Sequence, residues 1–443
     1  MSVDMGEKGM ANTFRFETLA VHGGQTPDPT TKARGVPVWR TTAYNFDSAE
    51  HGANLFALKE LGFIYTRLGD PTGQILENRL AMLEGGAAAV VTSSGTAAIH
   101  YTALTLARAG DEIVAARNLY GGTYTMFTVL LKDQGINVKL VDALDPENFR
   151  AAITDKTRFL FVETIGNPAL DVVDVKAIAK IAHEKGIPLV VDSTFTPPSN
   201  YRPIEDGADI VIHSLSKWIG GHGAGIGGVV IDSGKFDWKG GNVPLLTESD
   251  PAYHGLRWAI DLPDPLRPVA FALRFRTGPL RNLGACLSPD NSWIFLQGLE
   301  TLPLRMARHN ENAFKVAEWL SRNPKVAWVR YPGLASDPSY AVASRQFKNG
   351  FGGMVVFGIK PDGKTSGRDK GQRFIDSLSL FSNLANVGDA KSLAIHSAST
   401  THSQLTDKEQ LDAGLPPDLV RLSVGIEHID DIIADIEQAL SKA

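Results

Sequence analysis

The sequence predicts an α/β protein: a large unit built on a mainly parallel sheet, a smaller C-terminal α+β unit and an extended N-terminal arm. Three observations carry this expectation. Between residues 87 and 232, short apolar runs alternate with helix-like segments, as in a parallel sheet covered on both faces. The chain's 443 residues exceed what one hydrophobic core usually supports. Near the C-terminus, Ile429, Ile432, Ile433, Ile436 and Leu440 share one helical face that needs a partner to cover it.

Taken in order, residues 1–69 show little periodicity and many turn formers, including "TPDPTTKARG", and suit an arm that reaches a neighbour. From Thr72, the spacing of Ile75, Leu76, Leu80 and Leu83 predicts a helix that Gly85 and Gly86 stop. "AAAVV", "RFLFVET", "PLVVD", "ADIVIHS" and "GGVVID" read as strands, and "VKAIAKIAHEKG" as a helix ending at Gly186. The polar segment "GKFDWKGGNVPLLTESDPAYHG" is longer than a simple connection needs, which predicts a functional or disordered loop. One long helical stretch, "FLQGLETLPLRMARHNENAFKVAEWLSRN", leads into the C-terminal unit. The expected division is 1–69, 70–300 and 301–443.

Composition narrows the function. With 43% hydrophobic and 21% charged residues and a net charge of -5, the chain resembles ordinary globular proteins and lacks the basic footprint of a nucleic-acid binder. Cys286 is the only cysteine, so neither an intrachain disulfide nor a cysteine metal cluster can form. The N-terminus has the character of neither a secretory signal nor a transit peptide, and no apolar run is long enough to span a membrane. A cytoplasmic enzyme is expected.

The chemistry concentrates in two places. "AAAVVTSSGTAAIHYTALTLARAG" joins a strand to a Ser/Gly turn and an Ala-rich helix, offering backbone N–H groups, hydroxyls and the positive end of a helix dipole. Alone, this stretch leaves open both a phosphate site and an ordinary helix cap, which needs one hydroxyl. "PLVVDSTF" and "ADIVIHSLSK" place Asp192 at the end of one strand and Lys217 just past another, at the carboxyl edge where open α/β sheets bind ligands. Singly, they read as a strand-end cap and a solvated side chain. With Ser94, Gly95 and Thr96 they supply three anchors for pyridoxal 5'-phosphate: a phosphate cup, a carboxylate for the ring nitrogen and an amine for the aldehyde.

Other motifs fail on context. "GAGIGG" (223–228) has the G-x-G-x-x-G spacing of a dinucleotide loop, but its glycines enter a strand instead of opening a helix. His213 and His222 flank Lys217, and His396 and His402 lie close together, without a metal-ligand spacing. No metal is expected, and His213 and His222 are assigned to hydrogen bonds within turns.

In sum, "YTRLGDPT", "SSGTAA", "NLYGGTY", "ETIGNP", "VDSTF", "HSLSKWIGGHG", "NVGDAKSL" and "LVRLSVG" fall in the order of a family that this chain resembles, the pyridoxal-phosphate enzymes of cysteine and methionine metabolism. The resemblance runs from about residue 14 to the C-terminus and implies a fold-type-I PLP-dependent transferase. It is strongest to the branch acting on O-acetylhomoserine, and so implies γ-replacement of acetate by sulfide to give homocysteine. Cystathionine γ-synthase or methionine γ-lyase chemistry, and a non-catalytic cofactor-binding regulator, are the alternatives.

Carried over by motif, Lys217 would hold the cofactor covalently and shuttle protons, and Tyr120, placed with it in catalysis, would stack on the ring. Asp192 would pair with the ring nitrogen, and Ser94, Gly95, Thr96, Ser214 and Ser216 would bind the phosphate. Tyr65 and Arg67 would reach a neighbouring subunit's phosphate, so the resemblance implies at least a dimer, with pairing into a tetramer. Asn167, Ser392 and Arg421 would hold the substrate carboxylate. Two residues depart from the family's pattern: Ser193 replaces a common asparagine, and Ser216 a common threonine whose hydroxyl it keeps.

Overall fold

The structure, a computed structural model, describes residues 14–264, 266–400, 403 and 415–443; His402 lies outside them. The arm is not wholly extended: helices α1 (Phe16–His22) and α2 (Ala49–Phe56) interrupt it. They form because each has one apolar residue to bury, Ala20 and Leu55 respectively. Helix α3 (Pro71–Glu84) starts where Asp70 accepts the Gly73 N–H and ends at Gly85, whose left-handed φ of 81° suits a glycine.

Strands β1 (Ala88–Thr92), β2 (Glu112–Ala116), β3 (Asn137–Val141), β4 (Thr157–Glu163), β5 (Leu189–Asp192), β6 (Ile210–Ser214) and β7 (Gly228–Asp232) form one sheet. Its order is β1-β7-β6-β5-β4-β2-β3, and every pairing is parallel except the two made by β7. Val190, Val191, Ile210, Val211, Ile212 and Val229 are wholly buried, as expected of central strands covered on both faces. Helices α4 (Gly95–Leu106), α5 (Gly121–Thr125) and α6 (Val175–Glu184) follow β1, β2 and β4 in the chain.

Two expectations change. The segment after residue 234 is a packed part of the body: Val243 and Leu246 are buried, and Trp238 stacks on Phe271 at 5.7 Å. Its glycines and prolines disguise the apolar anchors between them. The single long helical stretch is two helices, α7 (Pro289–Glu300) and α8 (Leu302–Arg322), because Pro303 cannot donate within a continuous helix and sits instead in the first turn of the second.

The second sheet comprises β8 (Val326–Arg330), β9 (Met354–Ile359), β10 (Ser382–Asn383), β11 (Leu393–His396) and β12 (Leu419–Ser423), in the order β10-β11-β12-β9-β8. Helices α9 (Gly367–Ser377) and α10 (Ile429–Lys442) pack together, and α10 buries Ile432, Ile436 and Leu440 against α8 and α9. This sheet has its own apolar core. Arg305 on α8 ties the two sheets' surroundings together by donating to the carbonyls of Trp218, Ile219 and Gly298.

Candidate active site

The carboxyl ends of β1, β4, β5 and β6 meet around a cavity of about 530 Å³. After β1, the Ser94 hydroxyl caps α4 by accepting the Ala97 N–H at 3.1 Å, leaving Gly95 and Thr96 at the positive end of the helix. Close packing holds this cup beside its neighbours. A Cβ on Gly228 would lie 2.2 Å from the Ser94 carbonyl oxygen, and one on Gly95 would lie 2.8 Å from the Ser214 Cβ. Ser214 and Ser216 complete that end of the cavity, with the Ser216 hydroxyl accepting the Gly227 N–H at 3.0 Å.

Lys217 follows β6 in a turn that Arg305 fixes from behind. Its Nζ donates to Asn386 Oδ1 at 2.5 Å. Burial, reinforced by the nearby Arg421 charge, pulls its pKa down and favours the free amine. Asp192, at the end of β5, accepts the Thr194 N–H at 2.9 Å, and burial raises its pKa. From β12, Arg421 enters at the far side and donates to Asn167 Oδ1 at 3.1 Å; burial lowers its pKa to about 10. Tyr120 lines the cavity and is 53% exposed.

Among the described residues, no carboxylate pairs with Lys217 or Arg421, and no cation pairs with Asp192. Buried charges left without partners are costly. The donor set therefore fits a ligand bearing an anion for the cup, a protonated nitrogen for Asp192, a carbonyl for Lys217 and, on its co-substrate, a carboxylate for Arg421. Pyridoxal phosphate with an amino acid meets all four requirements.

A sequence model described as Cys/Met metabolism PLP-dependent enzyme matches residues 17–441. The chain belongs to that family. It is 52% identical to an O-acetyl-L-homoserine sulfhydrylase of Leptospira meyeri, covering 98% of both chains, and 50% identical to O-acetyl-L-homoserine sulfhydrylase 1 of Thermus thermophilus, covering 97% of this chain and 100% of the other. A homocysteine synthase of Schizosaccharomyces pombe is 50% identical, over 97% of this chain and 98% of its own. Among solved structures, a putative O-acetylhomoserine (thiol)-lyase from Campylobacter jejuni, crystallised with a pyridoxyl-lysine phosphate, superposes with a TM-score of 0.91 at 38% identity, covering 97% of this chain and 100% of that one. The fold is thus the fold-type-I architecture of this PLP-dependent family.

Of the residues singled out in the sequence, Ser94, Gly95, Thr96, Tyr120, Asn167, Asp192, Ser214, Ser216, Lys217 and Arg421 line the one cavity. Three do not. Ser392 is buried and does not line it: its hydroxyl donates its proton to Glu427 at 3.0 Å and accepts the Gly425 N–H at 2.9 Å, bonds that serve the fold. Tyr65 and Arg67 lie on the surface, the guanidinium 4.9 Å from the ring centroid.

His213 is not in a turn. It lies within β6, wholly buried, with Nε2 2.9 Å from Glu84 Oε2 on α3, because strand alternation turns it toward the covering helix. His222 does bond within its turn, to the Gly220 carbonyl at 2.7 Å. Ser193 is also buried, its hydroxyl engaged with Thr196. The glycines of "GAGIGG" serve the cavity: Gly223 and Gly225 line it, while Gly228 receives the Ser94 turn. Of the polar residues lining the cavity, sequence reasoning missed Glu163, Thr194 and Asn386. The available signal for Glu163 was a carboxylate ending the strand "RFLFVE" at the same edge as Asp192.

Proposed function

We propose that the chain is an O-acetylhomoserine sulfhydrylase, converting O-acetyl-L-homoserine and sulfide to L-homocysteine and acetate. The observation that carries this reading is identity of 50–52% over 97–98% of the chain to proteins named for that activity or as homocysteine synthase. A cavity equipped for both cofactor and amino-acid carboxylate supports it.

When bound, pyridoxal phosphate supplies an aldehyde for amine capture and a sink for the negative charge that develops as protons leave the substrate carbons. Ser94, Gly95, Thr96, Ser214 and Ser216 grip its phosphate. Asp192 would keep the ring nitrogen protonated, and Tyr120 would cover the ring. Lys217 would hold the cofactor through its aldehyde carbon. As a free amine, its pKa lowered by burial and by Arg421, Lys217 would take the α proton and, once it has given that proton up, the β proton. Arg421 and Asn167 hold the α-carboxylate meanwhile, so the Cα–H bond stays directed at Lys217. The γ C–O bond breaks to release acetate, hydrosulfide forms the new γ C–S bond, and Lys217 returns protons to the carbon chain.

Tyr65 and Arg67 are assigned to the phosphate of a second copy, which makes the active unit at least a dimer, with two dimers forming a tetramer. Their exposure, away from their own chain's cavity, supports this. No helix among the described residues is long and apolar enough to cross a membrane. The cytoplasm, where both substrates would be dissolved, is the assigned location.

The test is purified enzyme with sulfide and, in turn, O-acetylhomoserine, O-succinylhomoserine or O-acetylserine, following homocysteine and cysteine. Homocysteine should form fastest from the first. Preference for the succinyl ester, or release of a keto acid without sulfide, would move the chain to the cystathionine γ-synthase or methionine γ-lyase reaction.

A further inference from the structure

Asp192 does not face the cofactor cavity alone. Parallel pairing of β4 with β5 sets Glu163 opposite Asp192, each the last residue of its strand. Neighbouring strands lie about 4.8 Å apart, so two carboxyl groups share one corner of the cavity. Glu163 is 8% exposed, and its one polar partner among the described residues is the Tyr120 N–H, which donates to Oε1 at 2.7 Å. The cations nearby bond other groups: Lys217 donates to Asn386, Arg421 donates to Asn167, and His213 on β6 lies against Glu84.

Two carboxyls at such separation, Glu163 buried and Asp192 half-buried, with no cation bonded to either, cannot both ionise cheaply. Burial raises the pKa of both, but Asp192 has the Thr194 hydroxyl and N–H and the field of His213 to favour its anion, whereas Glu163 has the Tyr120 N–H alone. Glu163 has burial and the Asp192 charge against its own, and is pushed well above the ordinary carboxylate range. The asymmetry assigns the single charge to Asp192 and the proton to Glu163.

We propose that Glu163 is a positioning residue that stays a neutral carboxylic acid in the working enzyme, so that the Glu163–Asp192 pair presents one negative charge to the cofactor's ring nitrogen while Glu163 Oε1 holds the backbone of Tyr120. The inference rests on the assignment of Asp192 to that nitrogen. A second full negative charge there would over-bind the protonated ring and displace the pH range in which it stays protonated. One shared proton keeps the ring's partner a single carboxylate, and the same side chain anchors the residue that covers the ring.

Infrared difference spectra of the holoenzyme labelled with ¹³C-glutamate test this directly. A label-shifted carboxylic-acid band should be present near neutral pH in the native chain and absent from Glu163→Gln and Glu163→Asp. Glu163→Gln, neutral and still able to accept from Tyr120, should keep the cofactor's visible band and a kcat/KM–pH profile that overlays the native one. Absence of any Glu163-dependent band overturns the inference, and so does a displaced pH profile in Glu163→Gln. If Glu163→Gln does not fold, loss of the band in Glu163→Asp alone decides.

Asp192→Asn separates the two claims. If it leaves cofactor affinity and the visible band unchanged, the reading of Asp192 fails and takes the electrostatic part of the inference with it. If it weakens cofactor binding while no Glu163 band exists, only the inference about Glu163 is lost.

Discussion

Replacing Arg421 is the sharpest test of the substrate-binding assignment. The side chain leaves β12 between buried Val420 and Leu422, with its backbone paired to Val356 and Ile395, so substitution should not move the strand. Arg421→Lys keeps a positive charge but replaces a planar fork with a point charge, removing one of two parallel bonds to the α-carboxylate. A charge-assisted hydrogen bond is worth about 1.5–3 kcal/mol, or roughly 10- to 150-fold in kcat/KM. Arg421→Ala leaves the bound carboxylate without an opposite charge, with Asn167 alone to hold it, and should cost about 3–5 kcal/mol.

Stability should behave differently. The free enzyme already carries this half-buried guanidinium with, among the described residues, only Asn167 as its hydrogen-bonded side chain, so its loss should leave the thermal midpoint unchanged or raise it. Removing the charge also relieves one cause of the depressed Lys217 pKa, so that group should titrate at higher pH in Arg421→Ala. The assay is homocysteine formation at varied O-acetylhomoserine, alongside the cofactor's visible band as a function of pH. If both variants retain kcat/KM within about threefold of native with cofactor bound, Arg421 does not hold the carboxylate.

Three further outcomes are expected. Lys217→Ala should lose the visible band and activity, and Arg67→Ala should bind cofactor poorly; mixing equal amounts through dissociation and reassembly should restore about a quarter of native activity if each site draws on two chains. No recovery, with hybrids demonstrated by mass, would refute the cross-subunit assignment. In Gly228→Ala the added carbon meets the Ser94 carbonyl oxygen at 2.2 Å, and overpacking of about 1–3 kcal/mol should weaken cofactor binding; native affinity would show that the cup is held some other way. Finally, buried His309, whose Nδ1–H donates to the Val424 carbonyl at 2.7 Å, has its pKa lowered to about 4 by burial. Its stabilising effect is complete above the unfolded value of about 6.5 and is lost as pH falls to about 4, up to about 3 kcal/mol. His309→Gln should flatten the denaturation midpoint across that window, and an unchanged slope would show that another group governs it.

What could be read from the sequence, and what could not, follows from how a parallel sheet delivers side chains. A strand ending in a polar residue fixes both an edge and a direction, so Asp192, Lys217 and the Ser94 turn could be placed at one edge before any pairing was known. Pairing itself is a matter of packing. Glu163 meets Asp192 only because β4 lies beside β5, and His213 meets Glu84 only because alternation along β6 turns it to the helix-covered face. Ser392 sits in a recognisable motif, yet its hydroxyl donates to Glu427. The physical difference lies in whether a charge or hydroxyl finds its partner within the chain. Glu84, His213 and Ser392 do, and their burial serves the fold. Lys217, Asp192 and Arg421 lie at the same cavity without an opposite charge bonded to them, a shared deficit that a ligand carrying the missing charges would fill. A sequence displays every charge but not which of them the fold will neutralise, so it could nominate these three together with Ser392 and could not separate them.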